Sequence, residues 1–309
     1  MKVGFLVNQL DNRGTGNAVY DYADYNESIL GNDSVIFTFR EGEHDQEQLQ
    51  RYLFRFDKVW FPSEIEKKGL DALYHIKSGE NDGFGNTLNI PYLVHGVFRT
   101  DIHGTVFAAI SSWMAQRDNV PYVPHIVSLP DVKDDLRKDI GIPEDAIVFG
   151  RHGGFDTFDV PFVWSAINKA MEQNENIWFL FMNTQIPMMN FYDPMRIVDL
   201  DPTTNSYQKR AFINSCDAMI HARMRGETFG IAVGEFDICD KFVLTYGGSD
   251  ERAHMLNLAG NYYVYYNEQE LVDALASPII SYPAGGYKVF TPENVMKKFK
   301  EVFLDGIVA

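Results

Sequence analysis

The sequence predicts an α/β protein of two Rossmann-like domains, each a parallel sheet with helices on both faces. Three observations predict it. At 309 residues the chain is long for one ordinary domain and comfortable for two. Short apolar runs alternate with segments of helical period, and the runs lack the every-other-residue pattern of a sheet with one wet face. The alternation lapses once, in a proline-rich stretch, and restarts behind a second glycine-bearing turn.

In order along the chain, Lys2–Val7 is a short apolar run and reads as a first buried strand. The polar loop 8–16 follows and carries Gly14 and Gly16, then a helix is expected over 17–30 and a strand over 34–39. Residues 58–61, 92–94 and 105–109 give further short strands. The stretch 119–145 changes character, with Pro121, Pro124, Pro130 and Pro143 around a charged segment, and reads as the crossing between domains with a short helix near 133–140. Strand 146–150, glycine loop 151–154, helix 160–173 and strand Ile177–Met182 restart the pattern. Residues 217–220, 242–245 and 262–266 supply later strands, and a last helix over 293–304 is expected to pack back on the first domain. The domains expected are therefore 1–130, joined by the terminal helix at about 291–309, and 140–290. Glycine turns after the first strand of each half fall at the carboxyl ends of the sheets, where open α/β sheets bind ligands.

Composition removes several classes of function. A hydrophobic fraction of 45% with 14% aromatics is enough for real cores and argues against disorder. Cys216 and Cys239 cannot make a disulfide framework, and no C-x-x-C or Cys/His cluster points to zinc. The first ten residues are too short and too polar for a signal peptide, and no apolar run reaches the length of a membrane span. A net charge of −16 argues against nucleic acid polymers and anionic lipid surfaces. A cytoplasmic protein is expected.

The most informative segment runs from His221 to Glu235, His-Ala-Arg-Met-Arg-Gly-Glu-Thr-Phe-Gly-Ile-Ala-Val-Gly-Glu. Seven residues separate Glu227 from Glu235, a spacing of little weight by itself, since Glu293 and Glu301 share it. Context separates the first pair: a strand, a loop with Gly226, then a helix expected to open near Thr228. On one helix the two carboxylates would stand roughly 12 Å apart along the axis, too far to share one glycosidic bond. They would instead grip opposite ends of a long ligand, with the N–H groups of Thr228, Phe229 and Gly230 between them to receive phosphate. Sugar, diphosphate and ribose in a row match that layout.

The segment resembles the E-x7-E motif of retaining glycosyltransferases of the GT-B fold, especially family 4, and the resemblance extends over nearly the whole chain as an order of elements. It implies two domains facing one another across a cleft that closes to exclude water. It implies a donor-sugar role for Glu227 and a ribose role for Glu235. It implies that Gly14 and Gly16 approach the diphosphate and that His95, at the end of Ile90-Pro-Tyr-Leu-Val-His, contacts the transferred sugar. Val123-Pro124-His125 resembles the family's interdomain Val-Pro-Asn. Arg151 resembles the arginine that binds diphosphate, but the lysine that usually follows is missing, which leaves Arg225, Arg223 or the N–H groups of Gly153 and Gly154 to compensate.

The donor implied is a UDP- or GDP-linked sugar, with no metal ion or other cofactor. The acceptor expected is a glycan, protein or small molecule. Asp199 and Asp201 spell the Asp-x-Asp of metal-dependent sugar transferases; without the single-domain context that motif needs, a nucleoside role is assigned, with a carboxylate reading guanine. Rival readings are a nucleotide-sugar epimerase of the same fold, a non-catalytic nucleotide-sugar-binding protein and a nicotinamide oxidoreductase. The last would need a third glycine where Val19 stands.

Overall fold

Strands buried on both faces need apolar residues at every position, and β1 shows the consequence: all its residues after Lys2 are buried. The computed structural model describes residues 1–11, 14–39, 44–278 and 285–307. The elements run β1 (Lys2–Val7), α1 (Gly14–Ser28), β2 (Asp33–Thr38), α2 (Gln46–Phe56), β3 (Val59–Trp60), β4 (Ala72–Lys77), β5 (Tyr92–Gly96), β6 (Val106–Ala109) and α3 (Ser112–Asp118). They continue with β7 (Ile147–His152), α4 (Val163–Gln173), β8 (Ile177–Met182), β9 (Ile197–Leu200), α5 (Ser206–Asn214), β10 (Ala218–His221), β11 (Gly226–Glu227) and α6 (Ile231–Ile238). The last are β12 (Phe242–Tyr246), β13 (Glu251–Arg252), α7 (Ala253–Leu258), β14 (Tyr262–Tyr265), α8 (Glu268–Ala276) and α9 (Pro292–Phe299).

The chain divides into two units, Met1–Ile126 with Val289–Ala309, and Val127–Lys288. Unit 1 holds a six-stranded sheet in the order β3-β2-β1-β4-β5-β6. Unit 2 holds a second, ordered β9-β8-β7-β10-β12-β14. Every pair in both sheets is parallel. Counted within its own unit, each sheet has the doubly wound order 3-2-1-4-5-6, which reverses direction between its first and fourth strands. The α/β class is as the sequence predicts.

Local chemistry sets the helix starts. Asp45 accepts from the N–H of Gln48 at 2.9 Å to open α2, and Asn205 accepts from Tyr207 N at 2.9 Å to open α5. Thr291 caps α9, with Pro292 as its first residue. The core of unit 1 is aromatic: Phe299 of α9 stacks on Tyr22 at 5.3 Å between centroids and meets Tyr74 at 5.2 Å. The terminal helix thus packs on the first unit, and one π-helical turn, Lys300–Leu304, carries Phe303 onto His95. In unit 2, Phe149, Phe179, Phe181, Ile167 and Leu271 belong to one buried cluster.

The structure corrects two elements. Ala72–Lys77, absent from the sequence expectation, is a central strand buried along its whole length. His75 and Lys77 disguise it, and each is accommodated by a partner: Tyr92 Oη lies 2.6 Å from His75 Nδ1, and Asp82 lies 2.6 Å from Lys77 Nζ. The helix expected near 133–140 does not form. Its residues are tied outward instead, Leu136 N to Ser215 Oγ at 2.7 Å and Arg137 Nη2 to Asp217 at 2.8 Å.

Candidate functional site

Unit 2 reverses its strand order between β7 and β10, and open α/β sheets bind ligands beyond the carboxyl ends of the strands at such a reversal. His152 ends β7 and His221 ends β10. Both acids of the motif stand at this place, each held by a cation and a histidine. Glu227 on β11 takes Arg223 Nη1 at 2.7 Å on one oxygen and has His221 Nε2 at 3.4 Å from the other. Glu235 inside α6 takes Lys209 Nζ of α5 at 2.7 Å and has His152 Nε2 at 3.1 Å. The side chain of Glu235 is 7% exposed and that of Glu227 21%.

Burial opposes the ionisation of both carboxyls, and their partners outweigh it. The His221 contact and the Arg223 charge lower Glu227 to about 2, and Lys209 with His152 lowers Glu235 to about 2. His152 is itself lowered by burial, against the pull of Glu235, and stacks on Phe236 at 5.6 Å. Two anionic groups are therefore fixed in charge and in place at neutral pH.

Between them the helix starts later than expected. α6 begins at Ile231, with Gly230 as its N-cap and no capping side chain, so Thr228 and Phe229 precede the helix. Glu227 lies outside it, and the 12 Å axial separation expected for one helix does not apply. Gly230 has φ +86°, and a Cβ there would press on Glu227, His254 and Tyr287 at 3.2 Å, so the turn between the acids needs glycine. Thr228 is buried. Phe229 turns its ring into the core against Tyr287, whose hydroxyl donates to the Phe229 carbonyl.

Several expected site residues have other employment. Arg151 is 3% exposed, and its guanidinium donates to Asn183 O, Thr184 Oγ1, Gly154 O and Thr157 Oγ1 at 2.6–3.0 Å. It ties the loop that follows β7 to the residues that follow β8 and does not offer its fork to a diphosphate; burial lowers its pKa to about 10. Arg225 is exposed on its loop, and Arg223, two residues earlier, is the arginine that meets Glu227. His95 is a core histidine. Its Nδ1 lies 2.7 Å from Tyr74 Oη and its Nε2 2.9 Å from the Val123 carbonyl, with none of its surface exposed. Both ring nitrogens are thus taken up inside unit 1.

Gly14 opens α1 and is exposed, while residues 12 and 13 of its loop lie outside the described residues. Gly16 is packing: a Cβ would lie 2.5 Å from the Asp11 carbonyl oxygen. Asp199 and Asp201 are exposed at the carboxyl end of the edge strand β9, where burial and the Asp201 charge raise the Asp199 carboxyl. Among the described residues no group of three or more His, Cys, Asp or Glu is placed to hold a metal ion.

No protein-family profile and no curated protein matches the chain. Solved structures do. A glycosyltransferase from Rickettsia africae aligns over 99% of this chain and 94% of its own at TM-score 0.64 and 12% identity. Anabaena HepE in complex with UDP-glucose aligns over 98% and 95% at TM-score 0.63 and 14% identity. Sucrose-phosphate synthase from Thermosynechococcus elongatus aligns over 100% and 96% at TM-score 0.63 and 11% identity. The fold is GT-B. The strand-order reversal just described belongs to the second of its two sheets. Sequence reasoning found the two acids and missed three of the groups that hold them. His221 ends an apolar strand run, which is a usable signal; His152, which follows Arg151, and Lys209, in an ordinary polar helix, give none. No helix among the described residues is long and apolar enough to cross a membrane.

Proposed function

We propose that this protein is a retaining glycosyltransferase of the family 4 type, moving a hexosyl or deoxyhexosyl group from a UDP- or GDP-linked donor to a hydroxyl acceptor. The observation that carries the reading is the pair of ionised acids, Glu227 and Glu235, on either side of the uncapped start of α6 at a strand-order reversal. A helix start lacking a side-chain cap is a ready seat for a diphosphate. Glu235 then accepts from ribose hydroxyls and Glu227 from hydroxyls of the transferred sugar. HepE with bound UDP-glucose supports a donor of this class.

In the reaction, the bond from the anomeric carbon to the diphosphate oxygen breaks and a bond to the acceptor oxygen forms on the same face. The acceptor proton passes to the departing diphosphate, which leaves as the nucleoside diphosphate. Arg223 takes the place expected of Arg151 in stabilising the charge that grows there, and no metal ion is required in this reading. Asp199 and Asp201, at the end of β9, are proposed to face the base. A glycan, protein or small-molecule acceptor suits a chain of net charge −16, as does a cytoplasmic setting for its two free buried cysteines.

Transfer assays with UDP- and GDP-sugars and soluble hydroxyl acceptors test the proposal. Glu227→Ala is expected to lose on the order of a hundredfold in kcat while keeping its fold. Undiminished transfer by a folded Glu227→Ala protein contradicts the assignment. Conversion of the donor sugar without any acceptor would make the protein an epimerase instead.

A further inference from the structure

Tyr287 packs on α6 and bonds to residues at both ends of it. Its backbone N–H donates to Asp237 Oδ2, near the end of the helix, at 2.9 Å. Its ring covers Gly234, where a Cβ would meet ring carbons at 2.4–3.0 Å. Its hydroxyl reaches the other end and donates to the Phe229 carbonyl, 58 positions away in the chain. The side chain is fully buried, which holds the phenol well above its usual pKa and leaves the hydroxyl a proton to donate. A backbone carbonyl only accepts, so this bond has one possible direction.

We propose that Tyr287 is a positioning residue for Glu227, acting through the Phe229–Gly230 peptide. A trans peptide unit is planar, and its C=O and N–H point opposite ways. Tyr287 takes the Phe229 oxygen, so the Gly230 N–H points away from the phenol, and Gly230 turns through φ +86° into α6. Gly230 is packed between the two side chains: a Cβ there would stand 3.2 Å from Glu227 Cβ and 3.2 Å from Tyr287 Oη. At that spacing the turn has no room to shift while the phenol stays in place. On the other side, the pairing of β11 with β13 holds Glu227 beside Arg252. The acid is thus fixed from upstream by a strand and from downstream by Tyr287, and Arg223 and His221 then meet the carboxylate itself.

Glu235 is held differently. It follows Gly234 inside α6 and meets Lys209 of α5 and His152 of β7. Removing only the hydroxyl leaves the ring on Gly234 and both of these contacts in place. The turn that carries Glu227 is what loosens, so the sugar end of the donor site and the nucleoside end should respond separately.

The consequence for turnover rests on the roles of Glu227 and Glu235 proposed above, so the test has two independent readouts. Labelling phenylalanine carbonyl carbons and glycine nitrogens selects three peptide units for NMR: Phe84–Gly85, Phe149–Gly150 and Phe229–Gly230. In the full-length, ligand-free protein Tyr287→Phe should move the Phe229 carbonyl and Gly230 amide signals and leave Phe84–Gly85, in unit 1, unchanged. In transfer assays with UDP- or GDP-glucose, Tyr287→Phe should lose about tenfold in kcat, while uridine or guanosine binds within about twofold of the wild type. A folded Tyr287→Phe protein with unchanged kcat, or with an unmoved Phe229 carbonyl, overturns the proposal. So does tenfold weaker nucleoside binding, which would mark a general loosening of unit 2. Where Tyr287→Phe does not fold, the wild type decides: its Gly230 amide should move on saturation with the nucleotide sugar and not with the free nucleoside, and a Gly230 amide that stays in place with both overturns the proposal. Absence of transfer by the wild type would sink the proposed function and leave the Phe229 carbonyl to judge whether Tyr287 holds the turn.

Discussion

Arg151 and His95 carry groups that a motif would assign to a ligand, and the fold consumes both. Four hydrogen bonds from Arg151 tie the loop after β7 to the residues after β8, and three buried partners surround the His95 ring. His95→Leu should therefore cost about 2–3 kcal/mol at pH 7.5, because Tyr74 and the Val123 carbonyl lose a buried partner. It should leave kcat per folded molecule unchanged. The pH dependence has a definite sign. Burial lowers His95 from 6.5 to about 4, so below pH 6.5 the unfolded chain takes up a proton that the native one refuses. Stability falls with pH across that window by ~3 kcal/mol from this group. Urea titrations at pH 7.5, 6 and 5 should show a shallower fall in His95→Leu than in the wild type; parallel curves would place the histidine in solvent. Glu227 and Glu235 were legible because they flank a glycine turn at a helix start. Lys209 was not, since helix packing brings it to Glu235 from 26 positions away in the chain.

Elements were legible where burial was uniform and the residues apolar. Ile177–Met182 has the bounds its sequence predicts because six consecutive apolar residues leave no other reading. β4 escaped because a histidine and a lysine interrupt it, and only the tertiary partners Tyr92 and Asp82 make them tolerable in a sheet centre. The segment 133–140 failed in the opposite way: helical composition lost to hydrogen bonds offered by Ser215 and Asp217. At this scale α9 carries a clear expectation. Phe299 is fully buried among Phe5, Tyr22 and Tyr74, so Phe299→Ala should destabilise unit 1 by about 3–5 kcal/mol. Calorimetric melting checks it, and a change below about 1 kcal/mol would mean that the terminal helix does not complete that core.

Across the whole molecule, two sheets of the same winding order repeat one solution to one problem, covering both faces of a parallel sheet with helices. A net charge of −16 coexists with a local gathering of Arg223, Lys209 and Arg151 around the switch point of the second sheet. Glu227 and Glu235 pair with two of these three cations, and Arg151 is spent on loop hydrogen bonds. The most direct test is isothermal titration of the full-length protein with UDP, GDP and their sugars, comparing wild type with Glu235→Gln. The wild type should bind one equivalent of a nucleotide sugar, and Glu235→Gln should weaken that binding at least about tenfold, or 1.4 kcal/mol. Equal affinity in the two proteins, or no binding of any nucleotide by the wild type, would contradict a donor site at α6.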